Sequence, residues 1–150
     1  MEKLFEAINV DPSDTGNGSL LMYQSGKNPS TKLRTGGRVP FAIKKVLVVR
    51  GMKPTDVRGK HAHITTQEIV VAVQGGCDIE VDDGKRKEIV RIEGWEKSVL
   101  LPPQVWRTLT NFAENTILLI IADHEYTEDD YIRNYAKFLE MVSARGQEAQ

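Results

Sequence analysis

Several things are scarce in this sequence. There is one cysteine, Cys77, in 150 residues, so neither an internal disulfide nor a thiolate metal cluster can form within one chain. No sign of charge dominates: 20 basic residues face 21 acidic ones, for a net charge of −1. Nucleic-acid binders usually carry a basic excess, so binding a polymer by bulk charge is not indicated. The longest apolar run, Ile117 to Ala122, is far short of the roughly 18 residues a membrane-crossing helix needs. The opening MEKLFEAINV has no basic region followed by an apolar stretch. No secretory leader is therefore expected, and the expected compartment is the cytoplasm. Repeats and low-complexity tracts are missing too. With 40% hydrophobic and 27% charged residues the chain is not a disordered one. Its length suits a single domain over 1–150.

What is present is a succession of short strand-like runs. They are 18–24, 40–50, 67–74, 77–82, 87–92, 97–101, 105–110 and 116–122. Asp82-Asp83-Gly84 is a hairpin signal, and Gly75-Gly76 and Pro102-Pro103 mark other turns. Strands at this spacing predict a mainly β domain, a sandwich or barrel, with its core over about 40–126. Residues 25–39 read as a basic loop carrying Lys27, Lys32, Arg34 and Arg38. The C-terminus changes character. Thr127 followed by Glu128, Asp129 and Asp130 predicts a helix start, and Tyr131, Tyr135, Phe138 and Val142 would share one face. A C-terminal helix over 127–145, ended by Gly146, is the expectation. Cys77 reads as a small apolar filler, and His124 as a strand-end residue.

The chemistry concentrates at His61-Ala62-His63. On a strand, residues two apart point the same way, so both imidazoles share a face. Glu68 follows His63 at an odd offset. A turn through Ile64-Thr65-Thr66 would bring it back on a neighbouring strand. Two histidines, this glutamate and Gly75 resemble the first cupin motif, which adds a jelly-roll barrel to the expected fold. The second cupin motif falls on Pro102, Gln104, Arg107 and Asn111, with Gln104 at its glycine position and Arg107 at its histidine position. Arginine stays protonated and has no lone pair to donate, so no metal is expected. Histidines in a metal-free pocket suit general acid–base work near neutral pH.

The sequence further resembles the sugar 3,4-ketoisomerases, the FdtA/WxcM-like group, from about residue 40 to 140. Arg58-Gly59-Lys60-His61-Ala62-His63 carries most of the likeness. Asp82-Asp83-Gly84, Asp130-Tyr131-Ile132-Arg133-Asn134-Tyr135, Phe138, Pro40-Phe41, Ile43-Lys44-Lys45-Val46 and Gly18-Ser19-Leu20 add to it. The resemblance implies a cofactor-free tautomerisation of TDP-4-keto-6-deoxyglucose, moving the ketone from C4 to C3 through an enediol. Such enzymes supply 3-amino-3,6-dideoxy sugars for cell-surface glycans or antibiotics. It also implies a homodimer. His61, His63 and Arg58 become the expected catalytic residues, with His63 on the carbon proton and His61 on the oxygens. Arg107, Glu68, Arg133 and Tyr135 become the expected substrate-binding residues. The chain departs from the pattern at Trp106-Arg107, Leu47-Val48 and Asn17. Those departures leave two other readings in view, a non-catalytic nucleotide-sugar-binding cupin and a TDP-sugar 3,5-epimerase. A metal-dependent cupin oxygenase is a further alternative that a metal assay would separate.

Overall fold

The structure, a computed structural model, describes residues 3–9, 13–14, 19–20, 23–25, 37–94 and 97–149. Among these, fourteen strands precede one helix. They are β1 (Glu6–Asn9), β2 (Ser13–Asp14), β3 (Ser19–Leu20), β4 (Tyr23–Ser25), β5 (Gly37–Val39), β6 (Lys45–Arg50) and β7 (Arg58–His63). Then come β8 (Glu68–Gln74), β9 (Gly76–Asp82), β10 (Lys87–Glu93), β11 (Lys97–Leu101), β12 (Trp106–Thr110), β13 (Ile117–Ala122) and β14 (Tyr131–Ile132), and finally α1 (Tyr135–Glu148). Two five-stranded antiparallel sheets dominate. The first has the order β1-β11-β8-β13-β6, the second β10-β9-β12-β7-β14. This is the expected mainly β, cupin-like jelly roll with a C-terminal helix. Lys27, Lys32 and Arg34 of the basic loop, and Asn17, lie outside the described residues.

Alternation along each strand builds the interior. Val70, Ala72, Val99, Leu101 and Leu118 from the first sheet meet Cys77, Ile79, Val81, Val90, Ile92 and Leu109 from the second. Burying an aliphatic side chain of this size is worth about 1.5–3 kcal/mol, so this double layer is the main source of stability. Cys77 is fully buried within it, and burial pushes its thiol up to about 12. The outer face of the first sheet carries a second cluster, in which Val39, Phe41 and Ile43 cover Ile69, Val71 and Ile121. A third cluster lies outside the second sheet, where Phe138 of α1 packs on Ala62 and Trp106. The hairpin signal is met: β9 and β10 pair from Asp82–Lys87 onward, and Gly84 N–H donates to Asp82 Oδ1. Among the described residues no helix is long and apolar enough to cross a membrane.

The chain departs from expectation after residue 126. The helix begins at Tyr135, not Thr127. Its N-cap is Asn134, whose side chain accepts from Lys137 N–H, whereas Thr127 makes no side-chain cap. Glu128–Asp130 form one 3-10 turn. Tyr131–Ile132 then extend as β14 alongside β7, with Tyr131 opposite His63. The acidic triplet mimics a helix first turn, but its Asp130 is claimed by partners in a different element.

Candidate active site

The site forms where the inner faces of the two sheets diverge, as a cavity of about 240 Å³. The first sheet lines it with Leu47, Val49, Val70, Leu101, Leu118 and Ile120, plus Glu68 at the head of β8. The second sheet contributes Arg58, His61, Arg107 and Leu109, and the following segment adds Tyr131 and Arg133.

A bulge decides which residues of β7 face inward. Arg58 precedes His61 by three positions, an odd offset that a regular strand would send to the opposite face. Opposite, β12 pairs Arg107 with His61, Thr108 with Gly59 and Leu109 with Arg58, leaving Lys60 as the extra residue. Arg107 and Leu109 share a face, so their partners His61 and Arg58 share it too. The extra residue needs unusual backbone: Gly59 has φ 81° and Lys60 φ 52°. A Cβ at Gly59 would lie 2.7 Å from the Arg107 carbonyl oxygen. Glycine is therefore required there by both torsion and space.

β7 ends at His63 in one sheet and β8 opens at Glu68 in the other, so the turn between them brings Glu68 to face the histidine. His63 Nε2 is 3.2 Å from Glu68 Oε1 and 3.2 Å from His61 Nε2. Glu68 Oε2 accepts from Arg107 Nη1 at 2.7 Å. Burial pushes the Glu68 carboxyl up, but the His63 hydrogen bond and the Arg107 guanidinium outweigh it and hold it at about 2. Burial and Arg107 together press His61 down to about 4. His61 is thus a neutral base at pH 7 beside an ionised acid. Arg107 is 1% exposed. Its Nε has no hydrogen-bond partner among the described residues, an orphan donor of the kind a bound ligand satisfies.

Gln104, at the second motif's glycine position, has φ 62°. Its backbone N–H donates to the His63 carbonyl at 2.7 Å, and its side chain accepts from Arg145. Those bonds hold a glutamine where glycine would be less strained.

Five of the seven expected site residues, Arg58, His61, Glu68, Arg107 and Arg133, line the cavity. His63 is fully buried behind His61 and is not among the lining residues. Tyr135 is not brought in. It donates its hydroxyl to Asp82 Oδ2 at 2.6 Å and packs edge-on to Trp106, outside the second sheet. Arg133 pairs with Glu128 and lies over the Tyr131 ring, 4.3 Å from its centroid. Tyr131 itself was expected on a helix face. Its ring sits 5.0 Å from His61 and 4.4 Å from His63, centroid to centroid.

His61, His63 and Glu68 bring ligand-type atoms within 4.8 Å of one another. The donor set does not suit a cation, because Arg107 holds Glu68 from the same side and carries a positive charge of its own.

A family model described as FdtA, WxcM-like, C-terminal matches residues 13–143. The chain belongs to this FdtA/WxcM-like family. It is 27% identical over 138 residues to the TDP-4-oxo-6-deoxy-alpha-D-glucose-3,4-oxoisomerase of Aneurinibacillus thermoaerophilus, covering 92% of each chain. Among solved structures it is similar to a 3,4-ketoisomerase from Helicobacter canadensis, with 28% identity and TM-score 0.83, covering 93% of this chain and 97% of that one. It is also similar to QdtA, a sugar 3,4-ketoisomerase from Thermoanaerobacterium thermosaccharolyticum solved with TDP, at 25% identity and TM-score 0.83 over 97% and 98% of the two chains.

Proposed function

We propose that this protein is a nucleotide-sugar 3,4-ketoisomerase acting on a TDP-linked 4-keto-6-deoxyglucose without metal or cofactor. The observation that supports it best is the paired imidazoles, Nε2 to Nε2 at 3.2 Å, at the wall of a cavity that also holds Arg58 and Arg107. The ketone at C4 acidifies the C3 hydrogen. His61, the neutral base at the cavity wall, takes that proton while O4 is protonated, giving the enediol. The O3 hydroxyl then loses its proton and C4 gains one, which leaves the ketone at C3. Arg58 and the free Nε of Arg107 are donors suited to the negative charge that develops on oxygen. Arg133 at the cavity wall suits the diphosphate, since a guanidinium matches phosphate oxygens.

A nucleoside diphosphate does not cross a membrane unaided, so the reaction belongs in the cytoplasm where such sugars are made. Its 3-keto product is a substrate for amination, in keeping with a place before a 3-amino-3,6-dideoxy sugar. A homodimer is part of the proposal. Val46 and Val48, 57% and 66% exposed on the outer face of β6, continue the apolar cluster there, and a second copy would cover them.

Proton NMR of the protein with TDP-4-keto-6-deoxyglucose in D2O tests the reading. A 3-keto sugar is expected, deuterated at C4; the same reaction run in H2O retains H4, whose coupling to H5 gives the C4 configuration. Deuterium at C3 and C5 without ketone migration would indicate a 3,5-epimerase. Binding of TDP with no exchange would indicate a non-catalytic binder.

A further inference from the structure

Behind the histidines lies an acid that the reaction as written does not use. The Asp130 carboxylate, 10% exposed, accepts four hydrogen bonds. Oδ1 takes them from Thr65 N–H at 2.8 Å and Thr65 Oγ1 at 2.7 Å. Oδ2 takes them from Thr66 Oγ1 at 2.5 Å and His63 Nδ1 at 2.9 Å. Two donors per oxygen use the full acceptor capacity of an ionised carboxylate. Burial works against that charge, but the threonine and histidine donors outweigh it and hold the carboxyl below the usual range. Asp130 can then only accept, so His63 carries hydrogen on Nδ1. His61 is tied at the same atom: its Nδ1 lies 3.0 Å from the Gly59 carbonyl oxygen, which also can only accept.

Both rings therefore keep a hydrogen on Nδ1 and turn Nε2 toward each other. With Glu68 Oε1 beside them, three lone-pair atoms meet in a buried space. Such a meeting is repulsive unless a hydrogen lies between them. The charges agree. The titratable and charged groups nearest the pair are Glu68, Asp130, Arg107 and Tyr131; farther out, Glu128 also acts on His61 but is paired with Arg133, and Arg58 stands on the cavity wall open to a ligand. Two carboxylates and one guanidinium leave one negative charge uncompensated, and one added proton cancels it.

We infer that Asp130 is a positioning residue: it fixes the Nδ1–H tautomer of His63, so that the His61–His63 pair holds a single proton shared between its two Nε2 atoms. Its use in catalysis rests on the ketoisomerase reading. The shared proton withdraws to His63 Nε2, which frees the His61 Nε2 lone pair to take the C3 proton and pass it to O4, so the pair's proton count is unchanged at the enediol. In the second half the O3 proton arrives on the pair and one leaves to C4. The net change is loss of C3–H and O3–H and gain of C4–H and O4–H, with no external acid or base.

The first test needs no substrate. Two-bond ¹H–¹⁵N correlation spectra of protein labelled in its histidines, at neutral pH, are expected to show Nδ1 protonated in both rings and one proton over the two Nε2 atoms. Either ring with a bare Nδ1, or two neutral rings with no Nε2 proton, would overturn the inference. In Asp130→Asn the amide offers a donor to His63. The spectrum should switch to the Nε2–H form, and kcat should fall at least about 100-fold with KM and TDP affinity retained. A fall in kcat with an unchanged His63 spectrum would also overturn it. Should that variant not fold, Thr66→Val removes the competing donor from Oδ2; the more basic carboxylate should bind the His63 Nδ1 hydrogen more tightly and move its proton signal downfield, and an unmoved signal would overturn the inference. Failure of the wild type to isomerise the sugar would refute the function but leave the spectra to decide the proton.

Discussion

The two sheets contribute unequally to the cavity. The first lines it with six aliphatic residues and one acid, Glu68. The second supplies Arg58, His61 and Arg107, all from two neighbouring strands. The aliphatic wall excludes water and sets shape. The charged wall gathers the groups able to hold and move protons, and the low dielectric opposite strengthens each of its interactions. The titratable groups of the second sheet thus sit on paired strands, where a shared register fixes their spacing, and not on separate loops.

The sharpest way to break this division is at its bridge. Arg107 and Glu68 are the ion pair that joins the two walls. Arg107→Met should cost about 3–5 kcal/mol in urea denaturation, because Glu68 is left buried with its charge uncompensated. Arg107→Met with Glu68→Leu should recover most of that stability and none of the activity. A double variant as unstable as the single one would mean the guanidinium matters for packing and not for charge.

His61→Asn acts on the charged wall alone. Turnover should drop by about 100- to 1000-fold, the range for losing a general base, with TDP affinity by calorimetry unchanged. The same variant separates two acid limbs of stability. His61 is lowered from 6.5 to about 4 in the fold, so between those values the unfolded chain binds the extra proton. Stability should fall as pH drops through that window. Glu68, lowered from 4.5 to about 2, and Asp130 act with the same sign below it. Thermal melts should show the upper limb in the wild type and not in His61→Asn.

Gly59→Ala tests the register that puts Arg58 beside His61. Left-handed strain and the contact with the Arg107 carbonyl should cost about 2–3 kcal/mol, and kcat should fall with it. The smallest effect belongs to the aliphatic wall. Ile120→Val should cost about 0.5–1.5 kcal/mol and leave kcat within twofold of wild type, a difference read directly from paired denaturation and rate measurements.

Much of this was legible in the sequence. Period-two alternation and turn residues marked β8 through β13 to within a residue or two, because each turn has its own chemistry, whereas the run 40–50 gave the end of β6 but started it five residues early. The H-x-H spacing placed both histidines on one face. What escaped depended on partners distant in the chain. Asp130 and Tyr131 sit next to good helix formers and carry helix-start signals, yet they pair with residues 63–66. The local propensity of a single turn is too weak to resist such contacts. Arg58 is legible only through the resemblance, since the bulge that aims it inward has only Gly59 as a local sign. Tyr135 reads from the resemblance as a nucleotide contact, and no local signal shows that its hydroxyl meets Asp82.

Cys77 has a practical consequence. Its thiol is enclosed between the sheets and scarcely ionises below strongly alkaline pH, so in the folded protein it should be inert to alkylating reagents. The chain has no second cysteine to confuse the signal. The rate at which this thiol becomes reactive is therefore a clock for separation of the two sheets. A mass increment after timed labelling would read that opening in the unmodified protein, with no dye or introduced probe.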